Sequence, residues 1–112
     1  MTKTNDKTIQ LSAVISAHNE EKQLSFCLES LIFADEIVVL LDRCSDGSES
    51  ISRKYTDKIV LGEWEKEGQR RNAAIEACQG LWILEIDADE RVSKDLAIEV
   101  RNTIDESKFD WH

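Results

Sequence analysis

The sequence predicts an α/β chain: a mostly parallel sheet in three layers, with helices on both faces. Three observations carry this. Four short apolar runs rich in Val, Ile and Leu punctuate the chain, at 11–17, 36–42, 58–62 and 81–87. Each is too short for a typical helix, and continuous apolar runs of this length suit strands buried on both faces. Helix-period patterns fill the gaps, so the order is βαβαβαβα. That alternation specifies parallel strands joined by right-handed crossovers.

The first strand is "LSAVISA". After it Asn19 is a good N-cap, and Leu24, Cys27, Leu28 and Leu31 follow at helical spacing. The second strand is "EIVVLLD". Asp46 and Glu49 then resemble a capping box ahead of Ile51 and Tyr55. "KIVLG" is the third strand. Residues 65–78 form the next helix, with Ala74, Ile75, Ala77 and Cys78 inward and Gly80 as its stop. "LWILEID" is the fourth strand, and Ser93 caps a last helix carrying Leu96, Val100 and Ile104.

A chain of 112 residues makes one modest domain. Residues 1–7 read as a loose polar tail and 8–112 as a single domain. The count of 14 Lys+Arg against 23 Asp+Glu leaves a formal charge of -9. This argues against nucleic acid as the partner, since phosphate contacts need clustered cations. It is compatible with a site that recruits a divalent metal. No apolar run approaches the roughly 20 residues of a membrane span. The polar start "MTKTNDKTIQ" lacks the apolar stretch of a secretion signal, so the expected location is cytoplasmic. Cys27, Cys44 and Cys78 contain no C-x-x-C pair and read as reduced, small apolar residues.

In open parallel sheets, ligands bind outside the carboxyl ends of the strands. Three of those ends are polar: "SAHNEE" after strand one, "LDRCSDGS" after strand two and "EIDADE" after strand four. Asp42 there is either an acceptor for base N–H groups or ribose hydroxyls, or a turn acid. Asp87 and Asp89 stand two apart, and in an extended segment they point the same way. Two hard oxygen ligands on one side suit Mg²⁺ or Mn²⁺, which in turn holds a diphosphate; the alternative is a solvated acidic turn. Glu85 shares their side of the strand and needs a partner, with Arg71 a candidate within the chain. Arg70, Arg71 and Asn72 open the third helix, where they either attract an anion or offset Glu63, Glu65 and Glu67.

Other α/β chemistries fit poorly. An aspartate phosphatase needs its D-x-D after the first strand, and a receiver domain needs acids there and a phosphorylatable Asp after the third. The chain has neither a G-x-G-x-x-G nor a Walker loop.

Taken in order, "LSAVISAHNEE", "ADEIVVLLDRCSDGS" and "GQRRNAAIEACQGLWILEIDADERV" resemble the donor half of family 2 glycosyltransferases. The last segment is similar to bacterial enzymes that add sugars to the lipopolysaccharide inner core. The resemblance covers residues 8 to about 105. It implies a Rossmann-like GT-A fold, a nucleotide-diphosphate sugar donor, a glycan or lipid-linked acceptor, inverting transfer and Mg²⁺ or Mn²⁺. It implies donor contacts from Ala17, His18, Asn19 and Glu20, from Asp42, from Arg71 and Asn72, and from the Asp87-Ala88-Asp89 motif, with Asp87 and Asp89 on the metal. His18 stands where many members carry Tyr, and Arg43 where many carry a second Asp. Lipopolysaccharide work would place the chain at the cytoplasmic face of the inner membrane, in peripheral contact with it. Family catalytic domains run to about twice this length, the scale of a larger single domain. The other half binds the acceptor and supplies the general base, which no residue here matches. The chain is therefore expected to be a fragment, a truncated product, or a non-catalytic donor-binding module. In the last case a second copy would cover the exposed sheet edge.

Overall fold

The computed structural model describes residues 9–107, so the expected tail at 1–7 lies outside the described residues. The elements alternate as the sequence predicts. They are β1 (Leu11–Ala17), α1 (Glu21–Glu29), β2 (Glu36–Asp42), α2 (Ser48–Ser52), β3 (Ile59–Gly62), α3 (Glu67–Glu76), β4 (Trp82–Asp87) and α4 (Lys94–Ser107). All strand pairs are parallel, in the order β3-β2-β1-β4.

Strand alternation splits the core into two layers. Ala13, Ile15 and Ala17 of β1 and Val39 and Leu41 of β2 pack on Leu24, Cys27 and Leu28 of α1, with Ile51 of α2 and Ala97 of α4 at the margin. Val14, Val38 and Leu40 face the other way and meet Ala74 of α3, flanked by Ala73, Ala77 and Cys78. Ile75, expected to point inward, is half-buried and takes no part in that cluster. Cys27 and Cys78 are free thiols pushed up to about 11, chiefly by burial, which makes them inert apolar fillers.

Burial on both faces holds for β1 and β2 but not for β3 and β4. Among the described residues the latter two are edges, with a neighbour on one side only. Trp82 is 43% and Ile83 38% exposed, and Leu81 just before them 78%. Apolar content alone does not distinguish an edge strand from a central one.

Two caps also differ from expectation. Asn19 is not the N-cap of α1; Glu20 is, its carbonyl accepting from Gln23 and Leu24 at 3.0 Å. Asn19 instead adopts a φ of 51° and sends its side chain across to the next loop. Glu49 does not reach back to complete a capping box but pairs with Arg53 at 2.8 Å. Asp46 still accepts the Ser48 N–H at 3.0 Å, and Ser93 accepts the Leu96 N–H at 3.1 Å as expected.

At the amino end of the sheet, Glu36 is a buried carboxylate. It accepts from the Ser12 hydroxyl at 2.7 Å and the Gln79 N–H at 2.8 Å, and it faces the Lys58 ammonium at 3.1 Å. The Ser12 hydroxyl oxygen in turn accepts from the Gly80 N–H at 2.8 Å. Gly80 is needed for close approach rather than for a left-handed helix stop. A Cβ there would sit 2.6 Å from the Ser12 hydroxyl and 2.7 Å from its backbone nitrogen.

Candidate donor site at the carboxyl ends of the strands

The carboxyl ends of β1, β2 and β4 converge, as a parallel sheet requires. A cavity of about 260 Å³ opens there, lined by Ser16, Ala17, His18, Glu20, Arg70, Asp87 and Asp89. This falls below the roughly 300–1,000 Å³ of a whole small-molecule site. A second depression lies beside it at the ends of β2 and β3, lined in part by Arg43, Cys44 and Asp46.

Asp87 ends β4, and Asp89 lies in the turn that follows. They are not brought together by strand extension, as expected, but by a turn. The Asp87 N–H donates to the Glu90 carboxylate at 2.9 Å, and the Glu90 N–H to the Asp87 carbonyl at 2.9 Å. Ala88 between them is buried against the α1 face of the core. Burying that one methyl leaves both carboxylates at the cavity.

Asp42 is buried, and its carboxylate is already occupied. Oδ1 accepts from Arg43 Nε at 3.0 Å and from the Trp64 N–H at 3.3 Å. Oδ2 lies 3.5 Å from Arg43 Nη2 and 3.6 Å from Arg70 Nη1. Burial alone would raise this carboxyl, but the Arg43 hydrogen bond, the Trp64 N–H and the two guanidinium charges outweigh it and hold it low. Arg43 has a φ of 54°, a strained conformation for a residue with a side chain, and it also donates to the Trp64 carbonyl at 2.8 Å. His18 Nδ1 lies 2.6 Å from the Asp42 carbonyl. A carbonyl can only accept, so Nδ1 carries the hydrogen there, and in the neutral ring Nε2 is left as an acceptor.

Asn19 ties the first two loops together. Its side-chain oxygen accepts from the Ser45 N–H at 2.7 Å and the Asp46 N–H at 3.2 Å. The Glu21 N–H donates to Asp46 at 3.2 Å, and the Gly47 N–H to Glu21 at 3.3 Å. The expected site residues therefore separate. Ala17, His18, Glu20, Asp87 and Asp89 share the cavity, and Asp42 reaches it through Arg70. Asn19 points to the neighbouring loop. Arg71 turns to Glu85 at 2.9 Å, supplying the partner that acid needed. Asn72 is exposed on α3 and does not line the cavity, and Ala88 is in the core.

Arg43 and Trp64 were not among the expected site residues, and Arg70 was expected only as one of two arginines that attract an anion, with the donor contact placed on Arg71. Arg70 stands next to Arg71, and charge alone cannot rank two adjacent arginines. On a helix, neighbours in sequence face different directions, and only the docking of α3 selects which one enters the cavity.

Among the described residues, no three His, Cys, Asp or Glu side chains form a metal cage. Asp87 and Asp89 offer two hard oxygens. That fits Mg²⁺ or Mn²⁺ held by one or two carboxylates and completed by phosphate and water, rather than by an all-protein cage.

An α/β chain with a polar crevice at its strand ends is the class that fold and site define. The sequence matches the model of glycosyl transferase family 2 over residues 12–110, and the chain belongs to that family. It is 34% identical over 93 residues to the lipopolysaccharide core biosynthesis glycosyltransferase LpsC of Rhizobium meliloti (strain 1021), covering 79% of this chain and 34% of LpsC. It is 28% identical over 114 residues to the poly(ribitol-phosphate) beta-N-acetylglucosaminyltransferase TarS of Staphylococcus aureus (strain Mu50), covering 91% of this chain and 20% of TarS. The crystal structure of S. aureus TarS 1-349 superposes with a TM-score of 0.71 at 27% identity, over 88% of this chain and 33% of that one. The complex of TarS 1-349 with UDP gives 0.70 at 25% identity, over 88% and 32%. The chain thus spans about a third of the length of LpsC. No helix among the described residues is long and apolar enough to cross a membrane.

Proposed function

We propose that this chain is the donor-binding half of an inverting, metal-assisted glycosyltransferase. The donor is a nucleotide-diphosphate sugar, and the acceptor is a glycan or lipid-linked sugar of the lipopolysaccharide-core type. The observation that carries the reading is the meeting of Asp87, Asp89, His18, Glu20 and Arg70 around one cavity at the strand ends. Membership of family 2, the likeness to LpsC and the UDP complex of TarS support it.

Asp87 and Asp89 would hold the cation. When bound, Mg²⁺ or Mn²⁺ supplies Lewis-acid stabilisation to the leaving nucleoside diphosphate. The chain's own residues do the rest. The Asp87–Glu90 bonds fix the backbone of the acidic turn that carries both carboxylates. The bonds from Asn19 to Ser45 and Asp46 lock the ends of β1 and β2 into one wall. His18 is held to the Asp42 carbonyl through Nδ1 and lines the cavity. The general base is assigned to no residue of this chain, so the function proposed for it is donor binding.

Calorimetric titration with UDP-, GDP- and ADP-sugars, with and without Mn²⁺, tests this. Binding of one class, strengthened by Mn²⁺, is expected. Absence of binding by any of them at millimolar concentration in both conditions would remove the proposal.

A further inference from the structure

We infer that Arg70 is the cationic contact for the donor's diphosphate, and that Asp42 acts on the donor through Arg70, as a positioning residue. This rests on the reading of the crevice as a sugar-nucleotide site.

Arg70 is the one guanidinium among the described residues that line the cavity, and it shares that cavity with Glu20, Asp87 and Asp89. Its side chain is only 28% exposed, while that of Arg71 is 64% exposed and bonded to Glu85. A diphosphate bridged by a cation to Asp87 and Asp89 still carries uncompensated charge on its far side. Arg70 is the group at hand to meet it. Its contacts with Asp42 at 3.6 Å and with Glu67 at 3.8 Å are ion pairs rather than hydrogen bonds. Its N–H donors therefore remain available, and a planar guanidinium matches two phosphate oxygens at once.

The state of Asp42 points the same way. An ionised carboxylate offers about four acceptor positions. Arg43 Nε, Arg43 Nη2, the Trp64 N–H and Arg70 Nη1 already approach the two oxygens. With Asp42 only 3% exposed, a base N–H or a ribose hydroxyl would have to displace one of these groups to reach it. What the buried carboxylate does is fix two guanidinium groups, one over β3's exit and one at the cavity.

The experiment uses the 112-residue chain with Mn²⁺ and three probes, UDP, GDP and ADP, each beside its nucleoside. For the diphosphate that the parent chain binds, Arg70→Gln should weaken affinity by about tenfold to a hundredfold, the scale of one hydrogen bond to a charged group. The matching nucleoside should bind unchanged. Arg70→Lys, which keeps the charge but not the fork, should fall between. Asp42→Asn should reproduce the Arg70→Gln loss, add little to it in the double variant, and leave the order of preference among UDP, GDP and ADP intact. Circular dichroism checks that each variant folds, and the Arg70 pair suffices if Asp42→Asn does not. Unchanged diphosphate affinity in Arg70→Gln overturns the inference and leaves the sugar-nucleotide reading standing. An altered base preference in Asp42→Asn overturns the positioning role. If the parent chain binds none of the three, the sugar-nucleotide reading itself fails.

Discussion

Replacing Glu36 by Gln should destabilise the domain by about 2–3 kcal/mol, because two hydrogen bonds to a charged acceptor become bonds to a neutral one. Both bonds, from Ser12 and Gln79, converge on the same buried oxygen at 2.7 and 2.8 Å. Gln keeps an oxygen there, but its amide then turns a donor toward the Lys58 ammonium. Glu36→Ala should cost more, about 3–5 kcal/mol, the range for breaking a buried pair and stranding its partners. Urea unfolding followed by circular dichroism measures this. With a slope of about 1–3 kcal/mol per molar, Glu36→Gln should lower the midpoint by about 0.7–3 M. A pH series separates charge from shape. Burial pushes the Glu36 carboxyl up, but the Gln79 N–H, the Ser12 hydroxyl and Lys58 outweigh it, and its pKa is lowered in the fold. The unfolded chain therefore protonates first as pH falls. The stability contributed by the charge is complete above the ordinary value of 4.5 and is lost as pH drops through the lowered folded value. The gap between parent and Glu36→Gln should close over that same window. Equal midpoints at neutral pH, or a gap that ignores pH, would refute the argument.

Gly80→Ala should destabilise by about 1–3 kcal/mol, the cost of forcing a backbone shift in a packed site, measured by the same unfolding assay; a neutral result would mean that β1 yields to the extra methyl. Asp89→Asn should abolish the Mn²⁺-dependent part of nucleotide-sugar binding while the circular dichroism spectrum stays native; retained metal dependence would remove Asp89 from the cation site. Ile83→Lys places a charge on the apolar strand β4, an edge among the described residues, and should reduce self-association in light scattering without loss of fold. If association is unchanged, that edge is not the contact.

The sequence by itself determined the element order, the strand limits to within one residue, and which strand ends carry polar chemistry. These follow from local periodicity: four Val/Ile/Leu runs leave no other assignment, and parallel topology then sends the ends of β1, β2 and β4 to one rim. It also marked the residues Asp87 and Asp89. What it could not determine depends on neighbours distant along the chain. Trp82 and Ile83 look as buried as Val38 and Val39 until the sheet order puts β4 at an edge. Asn19 looks like a helix cap until the loop after β2 comes within reach of its side chain. Glu36 looks like a surface acid until Ser12 and Gln79 close around it. Arg70 and Arg71 are indistinguishable as letters. Only the docking of α3 against β1 and β2 aims one at the cavity and the other at Glu85, because adjacent helical positions diverge and packing decides which side is inward.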